Sequence, residues 1–271
     1  MLKSKGYKCG LYIGTLAIGL TLMVSMCKMS TYKLKPTPQT TKINYQIGTY
    51  ENEYSKFGIN KYNISYDVKD YQLNGKKADV HIVNYNGLKI VKLLHEKINK
   101  QVFSYAQIET TLDTLPKVLT RNIKEIQLLD YRSTSDAYWS KKYNMKNFRS
   151  YASGGSGYIY FYANTYFDTA WNNETLRKTL THESAHILDV KISSQKKKFS
   201  NSTEWYTIMN NDFKFNKHNY GRYCSLYGQE SNSSEEDFAE AVSLYVTDNI
   251  EFTKEYPNRA GKIKTLLNSK Y

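Results

Sequence analysis

Residues 181–186 read Thr-His-Glu-Ser-Ala-His, an H-E-x-x-H pattern, and it restricts what the chain around it can build. Positions i and i+4 of an α-helix lie one above the other on the same face. On a helix, His182 and His186 therefore aim two imidazoles at one point, with Glu183 one step round. Two neutral nitrogen ligands beside a carboxylate suit a catalytic Zn2+ with an open position for water. Such a centre demands a helix with one buried side and a third ligand from a second element. The spacing is specific, because the 271 residues include only five histidines.

The flanking residues agree with a helix. Leu176, Leu180, Ile187 and Leu188 supply a buried side; Asn172 or Asn173 can cap it, with Glu174 in the first turn. The best source of a third ligand is the stretch Ser234–Thr247. Ser233 or Ser234 can cap it, and Glu235, Glu236 and Asp237 fall in its first turn, where the helix dipole favours acids. Phe238, Ala241, Val242 and Tyr245 make its apolar face at helical spacing. Of the three leading acids only Glu236 has another acid four residues on, Glu240. One of this pair can bind the metal while the other accepts a hydrogen bond from a ligand histidine.

The remaining chain reads as a mixture of strands and helices, an α+β domain over 43–271. Ala78–Tyr85 is the best early strand, and Leu88–Asn99 has apolar residues at helical spacing. His95 in that stretch is a weak additional ligand candidate. Tyr105–Asn122 predicts a helix interrupted at Pro116, and Ile123–Tyr131 a strand. Ser150–Gly157, rich in Gly and Ser, predicts a mobile loop, and Tyr158–Ala163 a strong strand after it. Ser193–Asn201 predicts a basic polar loop, Thr203–Asn210 a short helix, Asn216–Ser233 an irregular stretch, and Pro257 to Asn268 the last helix.

The first thirty residues carry Lys3, Lys5 and Lys8 before an apolar run from Leu11 to Met26, which predicts an export signal. A cleaved signal ranks first, an uncleaved anchor second and a lipoprotein at Cys27 third; all three place the domain outside the cytoplasm. Residues 31–42, with Pro36 and Pro38, predict an extended linker. These thirty residues hold four lysines and no acids, so +9 of the net charge of +13 falls on the rest. Such a surface favours acidic substrates, wall polymers or membranes, although solubility alone explains it. No nucleic-acid motif accompanies the charge. Without Cys9 and Cys27 only Cys224 remains, so no intrachain disulfide is expected.

His182-Glu183-Ser184-Ala185-His186 followed by Glu236-Asp237-Phe238-Ala239-Glu240-Ala241 resembles the catalytic domain of the anthrax lethal factor family. It is also similar to the smaller secreted Pro-Pro endopeptidases of clostridia and bacilli. The resemblance covers about 84–271, and its specificity lies in the motif pair. It implies a zincin-type fold of the gluzincin class, with a small mixed sheet and an active-site helix. It further implies that His182, His186 and Glu236 bind zinc, that Glu183 is the general base and that Glu240 supports a ligand histidine. The family places an oxyanion-steadying tyrosine seven residues before the ligand glutamate, where this chain has Gln229; Tyr227 is the nearest candidate, with Tyr223 and Tyr220 behind it. In this family an edge strand pairs with the extended substrate, and the resemblance implies Tyr158–Ala163 for that work, with an ordinary internal strand as the equal alternative.

The expected function is a secreted zinc endopeptidase acting on protein substrates as a monomer, with proline-directed cleavage suggested by one branch of the resemblance. Two alternatives stand beside it: a zinc amidase of cell-wall cross-links, and a surface-binding module with an inactive site.

Overall fold

The computed structural model describes residues 66–73, 76–94, 105–129, 132–142, 148–162, 173–193, 197–217 and 219–270. The expected export signal, linker, His95 and Asn172 lie outside these residues. Six strands, β1 (Tyr66–Leu73), β2 (Lys76–Tyr85), β3 (Leu88–Leu94), β4 (Glu125–Leu129), β5 (Ala152–Gly155) and β6 (Tyr158–Tyr162), form one sheet in the order β1-β2-β3-β4-β6-β5. The pairs β1/β2, β2/β3 and β5/β6 are antiparallel, whereas β3/β4 and β4/β6 are parallel. The architecture is thus α+β with a small mixed sheet, as expected. Among the described residues no helix is long and apolar enough to cross a membrane.

The helices are α1 (Tyr105–Thr114), α2 (Lys117–Thr120), α3 (Asp136–Lys142), α4 (Asn173–Lys191), α5 (Thr203–Phe215), α6 (Leu226–Ser231), α7 (Ser234–Thr247), α8 (Asn249–Glu255) and α9 (Pro257–Leu267). A 3-10 turn at Phe199–Asn201 sits in the basic loop after α4. Helix α4 is the spine. Leu176, Leu180 and Ile187 pack with Ile126, Ile159 and Phe161 of the sheet and Ile108 and Leu112 of α1. Ala185 and Leu188 join a second core with Trp205 and Met209 of α5, Phe238, Ala241 and Val242 of α7, and Ile263 of α9. A helix buried on both sides leaves its central polar residues no solvent to face, so one there without a protein partner stands out.

Several local expectations are corrected. Leu88–Leu94 is a strand, not the start of a helix. Asn86 and Gly87 both have positive φ, 50° and 83°, between paired Tyr85 and Leu88. That is the Asn-Gly hairpin turn, and it overrides the helical spacing of four apolar residues. Ser150–Gly157 is not a loop. Ala152–Gly155 is a strand, turned back onto β6 through Ser156 and Gly157, again both at positive φ. Asn216–Ser233 is not irregular throughout, because Ser225 caps α6 by accepting from the Gly228 N–H at 3.0 Å. Asn173 lies inside α4 and accepts from Gln107 Nε2 rather than capping. Helices α3 and α8 were not anticipated.

Candidate metal centre

The H-E-x-x-H residues occupy the middle of α4, and both histidines and Glu183 are buried. Their rings sit 4.7 Å apart between centroids, and His182 Nε2 lies 3.0 Å from His186 Nε2. Helix α7 crosses α4 and brings Glu236 Oε2 to 3.2 Å from His182 Nε2 and 3.4 Å from His186 Nε2. Ser233 sets where α7 begins: its side chain accepts from the Glu236 N–H, one of the donors a helix start leaves without a partner. On the other side of the ring, His182 Nδ1 is 2.8 Å from Glu240 Oε1. A carboxylate only accepts, so the ring donates there, and in the neutral imidazole Nε2 is then a lone pair.

That lone pair faces a second imidazole nitrogen and a carboxylate oxygen. Electron-rich atoms at this spacing require a cation between them, a metal ion or, without one, a proton. The triangle of 3.0, 3.2 and 3.4 Å can be compared with a tetrahedral zinc site. Bonds of 2.0–2.1 Å at tetrahedral angles put ligand atoms about 3.3 Å apart, so the donor set fits. These residues form the one buried His/Glu group among the described residues able to hold a metal ion.

The protonation balance carries the same message. Burial disfavours a charged His182, but hydrogen bonds to Glu236 and Glu240 outweigh it and raise the ring to about 10. Burial pushes His186 down. Glu236 is buried too, yet His186 and His182 hold it well below the usual carboxylate range. Glu183 is different. Both its carboxylate oxygens are buried with no hydrogen-bond partner among the described residues. Burial, opposed by His182 and reinforced by Glu236 and Glu240, pushes it up to about 8. An unpartnered buried carboxylate costs stability, and proton donors and acceptors in active sites are commonly tuned this way.

Tyr227, on α6, places its ring 6.4 Å from the His182 ring. Of the two other tyrosines considered, Tyr223 donates its hydroxyl to Asn232 Oδ1 at 2.6 Å. The expected substrate strand is corrected. β6 lies between β4 and β5, so it is interior, and among the described residues β5 is the edge on that side. β5 also packs against α4. Its hydrogen bonding to β6 runs through Tyr151, whose carbonyl accepts from the Tyr162 N–H at 2.8 Å. By strand alternation the backbone groups of Ala152 and Gly154 therefore point away from β6.

Two features near Glu183 have no counterpart in the sequence reading. Gly154 abuts Glu183 directly. Tyr162, whose hydroxyl is 3.0 Å from Ser153 Oγ, is raised by burial and, in smaller part, by the Glu183 charge. A glycine between two strand residues was the available signal for close approach of another backbone. No protein-family model and no curated protein matches the chain.

Proposed function

We propose that the chain is an exported zinc-dependent endopeptidase, with His182, His186 and Glu236 holding the metal. The observation that carries this reading is the convergence of two imidazole nitrogens and a carboxylate oxygen, within 3.4 Å of one another, beside the Glu183 carboxylate, which has no hydrogen-bond partner among the described residues. Zinc supplies an electrophile there, for the attacking water and for the scissile carbonyl oxygen.

The protein's own groups do the rest. Glu240 fixes the His182 tautomer and ring orientation, so that Nε2 is presented as a lone pair. A Glu183 oxygen accepts the proton of the attacking water and passes it to the departing amine. Burial brings its proton affinity near neutrality, where acceptance and delivery are both accessible. The Tyr227 hydroxyl donates to the oxyanion that develops on the substrate. An extended peptide adds to the β5 edge through the outward backbone groups of Ala152 and of Gly154, the latter beside Glu183. The resemblance to the lethal factor family and the Pro-Pro endopeptidases supports the same assignment of roles.

The test is cleavage of a peptide library by the zinc-loaded chain and by Glu183→Gln. Gln keeps the shape and cannot accept a proton, so the variant should keep zinc and lose on the order of 10²–10⁴ in rate. Equal cleavage by both proteins overturns the assignment. Zinc binding without cleavage of any peptide, but with cleavage of wall cross-links, points to the amidase instead.

A further inference from the structure

Gly154 is not a glycine for reasons of backbone conformation. Its φ lies outside the left-handed region, unlike Gly87, Gly157 and Gly221. Space is the reason. A Cβ at this position would lie 2.6 Å from the Glu183 carbonyl oxygen, 2.9 Å from its Oε2 and 3.0 Å from its Cβ. The 2.6 Å approach to a backbone oxygen cannot be relieved in place, whereas the 2.9 Å approach to Oε2 is relieved by turning the carboxylate and the 3.0 Å approach to Cβ is merely tight. Ala152, the other residue of β5 on this face, is fully buried. The strand therefore presents only a methyl group and a hydrogen to α4, and rests on the helix at the Glu183 peptide.

We infer that Gly154 is a positioning residue for the Glu183 carboxylate: the missing Cβ leaves the space in which Oε2 sits, closed by the β5 backbone. The inference rests on Glu183 as the proton acceptor. With no hydrogen bond to either carboxylate oxygen from the described residues, packing is what orients this group. One wall is α4 itself and the other is the β5 backbone. A methyl group at position 154 cannot be absorbed by Glu183 alone, because the carbonyl oxygen it meets belongs to a buried helix. The strand must move outward and the carboxylate must turn.

The experiment compares Gly154→Ala with Gly261→Ala, whose new Cβ meets no atom within 4 Å. In protein labelled with 13C at glutamate Cδ, the Glu183 resonance is assigned by its loss in Glu183→Gln. At fixed pH it should move in Gly154→Ala and stay in Gly261→Ala. Zinc stoichiometry should be unchanged in both. Peptide cleavage by Gly154→Ala should fall about 10²-fold in kcat, the scale for a misplacement of about 1 Å. In the Glu183→Gln background the same glycine substitution should cost less than about 2-fold, because the group it acts through is gone. A purely structural role would leave the resonance in place and cost the same factor in both backgrounds, and either result overturns the inference.

Should Gly154→Ala fail to fold, it is made together with Glu183→Ala, which removes the carboxylate. Recovery of a folded pair supports the inference. A pair that also fails assigns the clash to the helix backbone alone and ends it. A wild-type chain that cleaves nothing would refute the role of Glu183 as proton acceptor, yet the resonance comparison would still decide whether Gly154 orients its carboxylate.

Discussion

Loading the proposed zinc site at controlled pH should displace a proton that occupies the metal's place in the metal-free chain. In the metal-free protein His182 is raised to about 10, so at neutral pH the ring is an imidazolium between Glu236 and Glu240. Zinc accepts only the neutral ring, so its entry must expel that proton. At pH 7 the ring must be stripped three units below its pKa, which at 1.36 kcal/mol per unit offsets about 4 kcal/mol of zinc affinity. At pH 9 one unit remains, or about 1 kcal/mol. Glu183, pushed up to about 8, has ionised by then and does not confuse the count. His186 is lowered and Glu236 lies far below, so neither contributes.

Titration calorimetry in two pH 9 buffers of different ionisation enthalpy should therefore report one proton released per zinc. The zinc is delivered from a chelator of known affinity. The stability of the metal-free chain follows with a definite sign. His182 and Glu183 both bind their protons more tightly folded than unfolded, above ordinary values of 6.5 and 4.5. Above about pH 6.5 stability therefore falls as pH rises through about 8 and then about 10, while the lowered His186 and Glu236 oppose this only on the acid side of their ordinary values of 6.5 and 4.5. A metal-free melting temperature that climbs between pH 6.5 and 10, or zero protons released at pH 9, would refute the proposed protonation of the centre.

Three further outcomes are expected. Glu236→Ala should lose zinc and activity together, whereas Glu240→Ala should keep the site and cost about 10–100-fold in metal affinity or activity, read by metal analysis and peptide cleavage. Tyr227→Phe should keep zinc and lose about 10²–10³ in kcat, the range for one oxyanion donor; unchanged kcat would remove Tyr227 from the mechanism. Arg259→Met should cost about 3–5 kcal/mol, because it leaves the buried carboxylates of Asp212 and Asp237 without their cation. In a melting experiment that is a drop of roughly 6–20 °C at 2–4 °C per kcal/mol.

What the sequence disclosed were features governed by near neighbours. The i, i+4 histidines, a cap at Ser233 or Ser234 and the bounds Ser234–Thr247 follow from helical geometry and a single side-chain hydrogen bond; the structure has the histidines and the bounds, and Ser233 is the cap. The Glu236/Glu240 spacing likewise placed both acids on the face that meets His182. Strands β3 and β5 were misread because apolar spacing and glycine content were weighed above their two-residue turns, where Asn86-Gly87 and Ser156-Gly157 carried the decisive signal. Gly154 against Glu183, 29 positions apart, and Arg259 against Asp237 and Asp212 arise only from tertiary packing. No local period encodes them.

Helix α7 shows why this distinction matters for the metal site. Its acids read as a first turn that merely complements the helix dipole, and Glu235 in particular had no other role. Instead each acid has its own directional partner. Glu235 accepts from Lys198 Nζ at 2.6 Å and from Asn201 Nδ2 at 2.9 Å. Glu236 faces the two histidines. Asp237 accepts from Arg259 Nε and Nη2 and from the Cys224 N–H. Glu240 accepts from His182 Nδ1. At about 100° per residue, Glu236 and Glu240 point within roughly 40° of each other, whereas Glu235 and Asp237 diverge to opposite sides. The helix is therefore held from three directions, and rotating it to change the metal ligand would break the Lys198, Arg259 and His182 contacts together. A slip of one turn would bring Glu240 to the metal but pull Asp237 off Arg259, stranding a buried charge. The cost of breaking that one buried pair, about 3–5 kcal/mol, exceeds what a surface carboxylate in the first turn gains from the dipole, about 0.3–1 kcal/mol. The register that presents Glu236 is set by Asp237, about 100° round the helix from it.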